Sequence, residues 1–147
     1  MSIPANVLIP AAAAAAFVVT GIGAALGTRR AGRPGRWLVP AVLAAVFFAG
    51  SLIPVRTGGM LGFWGEHTRN DWNNQIFLDL LLCGGCAYFL LLDRARRVSM
   101  RVLPWFLAIA TLGSIGLLAM VARVLFLEER ARISALQFKK NPALSMR

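Results

Sequence analysis

Five side chains in this sequence stand out as candidates for chemistry: Asp79, Cys83, Cys86, His67 and Arg123. Three of them fall in one segment, Phe77 to Arg97, which reads FLDLLLCGGCAYFLLLDRARR. A carboxylate inside an apolar run is costly, so it is paired, turned towards a helix bundle, or used for proton transfer. At helical spacing Asp79, Cys83, Cys86 and Leu90 share one stripe, predicted to face inward. Arg123 is the basic candidate for Asp79, at a register offset of about 9 Å for six residues of helix. An Asp79 to Arg123 ion pair is therefore expected, as a structural contact or as a proton-active pair.

The remaining candidates are weaker. Cys83-Gly84-Gly85-Cys86 has the look of a redox or metal motif, yet zinc needs four ligands, and the chain offers two thiols and the single histidine, His67, in another segment. A thiol in apolar surroundings is held protonated and unreactive, so the cysteines are expected to be small packing residues. His67, in WGEHT, is expected to be an interfacial histidine and not a haem or chlorin ligand. Ser-His-Asp sets, phosphate-binding loops and dinucleotide glycines are absent. No catalytic residue and no metal site is assigned.

The elements that must carry these residues are apolar. The chain has 147 residues, 58% of them hydrophobic, and a mean hydropathy of +0.66. Soluble domains have roughly 45–50% apolar residues. Runs at 5–27, 37–55, 76–92 and 103–127 each match the roughly 20 residues needed to cross about 30 Å of hydrocarbon. The expected fold is all-α: four transmembrane helices in a compact bundle over 1–127, followed by a short basic amphipathic segment, 128–147. The first run is read as a retained anchor, because no basic residue precedes it and four arginines follow.

Charge orients the bundle. Sixteen basic and six acidic residues give a net charge of +10. The arginines border apolar runs, so anionic lipid is the expected partner and nucleic acid is not. Loops 28–36 and 93–102 carry four arginines each, which predicts both on the cytoplasmic side of the inner membrane with the N-terminus outside. Four full crossings then put the C-terminus outside as well, against its own Arg130, Arg132, Lys139, Lys140 and Arg147. Arg94, Arg96, Arg97, Lys139 and Lys140 are the expected lipid or partner contacts.

Small residues mark expected helix contacts at Gly23, Gly27, Gly84, Gly85, Gly113 and Gly116. Trp64 and Trp72 fit one interfacial belt and Trp37 and Trp105 the other. Asn70 or Asp71 is placed to cap the helix that follows.

The succession F-L-D-L at Phe77 to Leu80, D-R-A-R at Asp93 to Arg96, P-W at Pro104 and Trp105, and L-G-S-I-G-L-L at Leu112 to Leu118 resembles a family of small bacterial integral-membrane proteins of unknown function. The likeness covers 61–123. A fainter similarity, in the order F-x-D-L, D, P and G-x-x-G-L-L, is to a plant and cyanobacterial membrane family linked to neoxanthin formation. The first resemblance implies membrane architecture and no reaction. The second implies an enzyme acting on an isoprenoid or carotenoid, with Asp79 as acid and a bound lipid or carotenoid as cofactor. The residues themselves favour a non-catalytic accessory or assembly subunit of a larger membrane complex, for example an energy-transducing, respiratory or photosynthetic one. A small transporter or channel subunit has only Asp79, Thr111 and Ser114 for a polar path.

Overall fold

The computed structural model describes residues 5–26 and 34–140. The described residues are helical throughout, with no strand: α1 (Ala5–Leu26), α2 (Leu38–Gly58), α3 (Gly62–His67), α4 (Asp71–Arg97), α5 (Leu103–Leu112) and α6 (Ser114–Lys140). They divide into two units, one from Met1 to Arg33 and one from Pro34 to Arg147. The described part of the first is α1, where the Thr20 hydroxyl donates to the carbonyls of Ala16 and Phe17 at 2.7 and 3.0 Å. Gly27, Arg29, Arg30, Arg33, Pro142 and Arg147 lie outside the described residues.

The second unit holds the candidate residues. Asn70 has extended backbone angles and its side-chain oxygen accepts from the Asn73 N–H at 2.9 Å, which starts α4 with Asp71 in its first turn. α4 ends in a Schellman turn: the Ser99 N–H donates to Arg96 O and the Met100 N–H to Ala95 O, both at 2.9 Å. Ser99 takes φ +55 there, and Met100 packs back on Ala95, as that motif requires. Pro104 lies at the start of α5, where its missing N–H and fixed φ cost nothing.

Two of the described helices, α2 and α4, are long and apolar enough to cross a membrane. Four were expected, and the fourth is interrupted. Gly113 adopts φ +56 and ψ −127, a region closed to residues with a Cβ. The chain reverses there. Eight residues of continuous helix would separate Gly116 from Ala108 by about 12 Å, yet a Cβ on Gly116 would lie 2.6 Å from the Ala108 carbonyl carbon and 2.8 Å from the Ile109 nitrogen. α5 and α6 are thus the two arms of a tight antiparallel hairpin.

The core forms where this hairpin meets the last turns of α4. Ala95, Met120 and Val124 are fully buried, with Tyr88, Leu91, Val102, Trp105 and Ile109 packed around them. α6 also runs antiparallel to α2, with Trp37 edge-on to Phe126 at 5.3 Å. The Gly35 N–H donates to both carboxylate oxygens of Glu129 at 3.0 and 3.1 Å. Arg94 forms a two-pronged bond to Glu128 at 2.7 and 2.9 Å. Residues 35–37, 94–102 and 126–129 therefore share one end of the unit. The described part of the segment from 128 is the continuation of α6, which runs unbroken to Lys140.

Candidate functional site

Asp79 and Arg123 are not brought together. Arg123 lies near the end of the unit that holds Glu128, its guanidinium 5.8 Å from the centre of the Phe126 ring. Asp79 is sixteen residues before Ala95 on α4, about 24 Å along the axis. Among the described residues no basic group pairs with Asp79. The expectation assumed a complete fourth helix antiparallel to α4, and the reversal at Gly113 removes the half that would have stood opposite Asp79.

Asp79 is also exposed, as are Cys83 and Cys86 on the same stripe. Its sole polar side-chain contact among the described residues is the Cys83 thiol one turn on, which donates across 3.9 Å, a weak bond. The stripe expected to face inward faces away from the rest of the unit. Ala95 is the one buried residue of α4, and Leu78, Leu82, Phe89 and Leu90 are all more than half exposed. The result is a bare apolar helix carrying one carboxylate and two free thiols.

Of the four small-residue positions whose surroundings are described, Gly84, Gly85, Gly113 and Gly116, one makes the close approach expected of it. Gly116 is pressed against the α5 backbone, whereas a Cβ on Gly84 or Gly85 would meet nothing within 4 Å. Gly113 has open space too, and its role is the turn. Gly23 lies in α1.

His67 closes α3, which lies over the first turns of α4. Its Nδ1 is 2.6 Å from the Phe63 carbonyl, so Nδ1 carries the hydrogen, and its ring stands 5.0 Å from that of Phe77. Trp64 contacts Phe77 as well, at 6.1 Å, and Asn73 donates to the Glu66 carbonyl at 2.7 Å. These contacts fasten α3 to α4, a small helical cap within a segment the sequence marked only as polar. Among the described residues no group of three or more His, Cys, Asp or Glu converges as a metal site requires.

Arg56 and Arg69 lie beside α3, and most of the other described arginines gather at the opposite end. Arg94 is engaged with Glu128 and Arg96 reaches Asp93 at 3.9 Å. Arg36, Arg97 and Arg101 are exposed, and no carboxylate among the described residues pairs with them. Arg130 rests on the Phe126 ring at 5.6 Å. Lys139 and Lys140 end α6. Comparison with protein-family models, with curated proteins and with solved structures returns no match.

Proposed function

We propose that this chain is a multi-pass membrane protein that acts as a non-catalytic subunit of a larger membrane complex. The observation that carries this reading is Asp79: an ionisable group on an exposed apolar helix face, with one weak thiol contact and no basic partner among the described residues. Facing lipid, such a carboxylate costs about 2.5–3.5 kcal/mol at the helix centre. An acyl chain leaves that cost in place. A neighbouring membrane helix presenting an ammonium, guanidinium or hydroxyl at the same depth removes it. The exposed Leu78, Leu82 and Leu90 around it supply the apolar contact such a helix needs.

In this arrangement α2 and α4 cross the bilayer and the α5–α6 hairpin enters and returns. The ten residues of α5 rise about 15 Å, half of a hydrocarbon core of roughly 30 Å. The charge pattern supports the same topology. If Arg94, Arg96, Arg97 and Arg101 are cytoplasmic, so is the end of α6, and Arg130, Arg132, Lys139 and Lys140 join them. The basic tail that four full crossings would strand outside falls on the inner-membrane side that cations favour.

The test is solubilisation of the tagged full chain from its native membrane, with Asp79→Leu and Asp79→Asn beside the wild type. The wild type is expected to elute in an assembly larger than itself, with a reproducible, stoichiometric partner. Asp79→Leu is expected to elute alone with unchanged helicity, and Asp79→Asn to retain part of the assembly through its amide. A wild type that elutes alone, or an Asp79→Leu chain that keeps its partner, refutes the proposal.

A further inference from the structure

We infer that this chain self-associates head to tail, α4 of one copy against α2 of the next, with Arg56 of the second copy supplying the cation for Asp79 of the first. The inference rests on the reading above and names the neighbouring helix it requires as part of another copy of this chain. Asp79 and Arg56 belong to the half of the unit that carries α3, and neither has an ionic partner among the described residues. The other two basic groups beside α3 are engaged: Arg69 with Glu66 at 3.4 Å, and His67 with the Phe63 carbonyl and the Phe77 ring. α2 meets α6 at Phe126, and α4 packs in the cluster with Val124, two residues away and so nearly opposite on that helix. Asp79 lies close to half a turn from Ala95, the residue that α4 buries. Arg56 lies about a third of a turn from Trp37 and Ala44, the side of α2 that faces α6. The unit thus presents a carboxylate on one flank and a guanidinium on another.

Depth and side-chain direction suit the pair. Trp37 stands level with Phe126 and Arg94 with Glu128. Counting nineteen residues along α2 to Arg56 and fifteen back along α4 to Asp79 puts Arg56 about 9 Å nearer the α3 end, for helices lying side by side. Side chains lean towards the N-terminus of their own helix. α2 and α4 run in opposite directions, so Arg56 leans inward over Leu52 and Asp79 leans outward, each towards the level of the other. The faces fit as well. Ala45, Ala49 and Leu52 share the Arg56 flank of α2 and are exposed. In the same count Ala49 falls within about 2 Å of the level of Asp79, and Ala45 within about 2 Å of that of Cys83. Small residues then meet small ones, the condition for close approach of helices in a membrane. Asp71 is the rival carboxylate, but it stands about 80° from Asp79 around α4, in the first turn, where the helix N-terminus already favours its charge. An unrelated partner answers Asp79 alone, whereas a second copy answers Asp79 and Arg56 together.

Two full-length copies with different tags are co-expressed and solubilised in mild detergent, and one is captured through its tag. Wild-type copies are expected to capture each other. Arg56→Asp sets two carboxylates at each contact and Asp79→Arg two guanidinium groups, so each variant by itself is expected to lose self-capture by about tenfold or more. Mixing the two variants restores opposite charges at both kinds of contact. An Arg56→Asp copy is therefore expected to capture an Asp79→Arg copy at the wild-type level, which misfolded chains do not do. Asp71→Asn is expected to leave capture unchanged. In a Cys86→Ala background, Ala45→Cys is expected to form a disulfide with Cys83 of a neighbouring copy under mild oxidation, and Gly50→Cys, on the groove side of α2, is not. Absence of rescue in the mixture, or a loss from Asp71→Asn equal to that from Arg56→Asp, overturns the inference. Cross-linking through Gly50→Cys in place of Ala45→Cys puts the contact on the other side of α2 and overturns it too. Wild-type copies that ignore each other while an Asp79-dependent assembly persists also overturn it, and leave the reading above intact with a different protein against α4. A wild-type chain that elutes alone removes that reading and the inference together.

Discussion

Replacing Gly116 by alanine is expected to open the hairpin, because the atoms its Cβ would meet are backbone and cannot swing aside. They are the carbonyl carbon of Ala108 and the nitrogen of Ile109, at 2.6 and 2.8 Å, together with the Ala108 carbonyl oxygen. Overpacking of this kind costs about 1–3 kcal/mol, and contact with fixed backbone argues for the upper end. Alanine returns about 1 kcal/mol of helix propensity. The net expectation is a loss of about 2 kcal/mol for Gly116→Ala, with Trp105 and Ile109 lifted off Met120 and Val124. Gly84→Ala is the control, since a Cβ there meets nothing within 4 Å. Its expected effect is a gain of up to about 1 kcal/mol from propensity alone. Equilibrium unfolding in detergent with increasing dodecyl sulfate, followed by far-UV circular dichroism and by tryptophan emission, measures both. A Gly116→Ala chain as stable as the wild type, or a loss of equal size from Gly84→Ala, would refute the hairpin packing.

Ser99 closes α4 at φ +55, a conformation in which a side chain is strained and glycine is not, so Ser99→Gly is expected to raise stability by about 0.5–1 kcal/mol in the same unfolding assay. On a background lacking Cys83 and Cys86, single cysteines at Ser99 and at Ser134 are expected to react with a membrane-impermeant maleimide from the same side of sealed vesicles. Reaction from opposite sides would restore a fourth complete crossing and remove the re-entrant hairpin.

Hydropathy made the helices legible, since apolar runs bounded by charge have few alternatives, and local chemistry made their ends legible. Asn70 caps α4 as its type and place suggested. Trp37 and Trp105 lie at one end of the second unit, in the seam with Phe126 and in the core, while Trp64 lies at the other on α3. What stayed hidden was the backbone conformation of Gly113. A glycine followed by serine in an apolar run is equally consistent with a packing notch, a kink and a reversal, and periodicity continues across all three. Arg123 and Asp79 were matched by counting along a helix that the turn cuts in two. The feature of the sequence that fits four full crossings poorly is electrostatic, the run of basic residues after Leu127.

One break at Gly113 accounts for two features that the sequence presents as separate. It returns α6 to the end where Glu128 meets Arg94 and Glu129 meets the Gly35 N–H, which gathers the basic residues there. It also stops the hairpin partway along its neighbours. On α4, packing against the core begins at Tyr88 and contact with α3 is at Phe77. Asp79 and Cys83 lie between those two anchors, on the stretch a full-length fourth helix would have covered. Arg94 stands opposite Glu128, fifteen residues beyond Asp79 on α4, and Arg123 lies five residues back along α6, so about 15 Å of helix separates the levels of Asp79 and Arg123. Among the described residues no basic group pairs with Asp79, and it is on this bare stretch of α4 that the proposed neighbouring helix would have to supply a cation or hydroxyl.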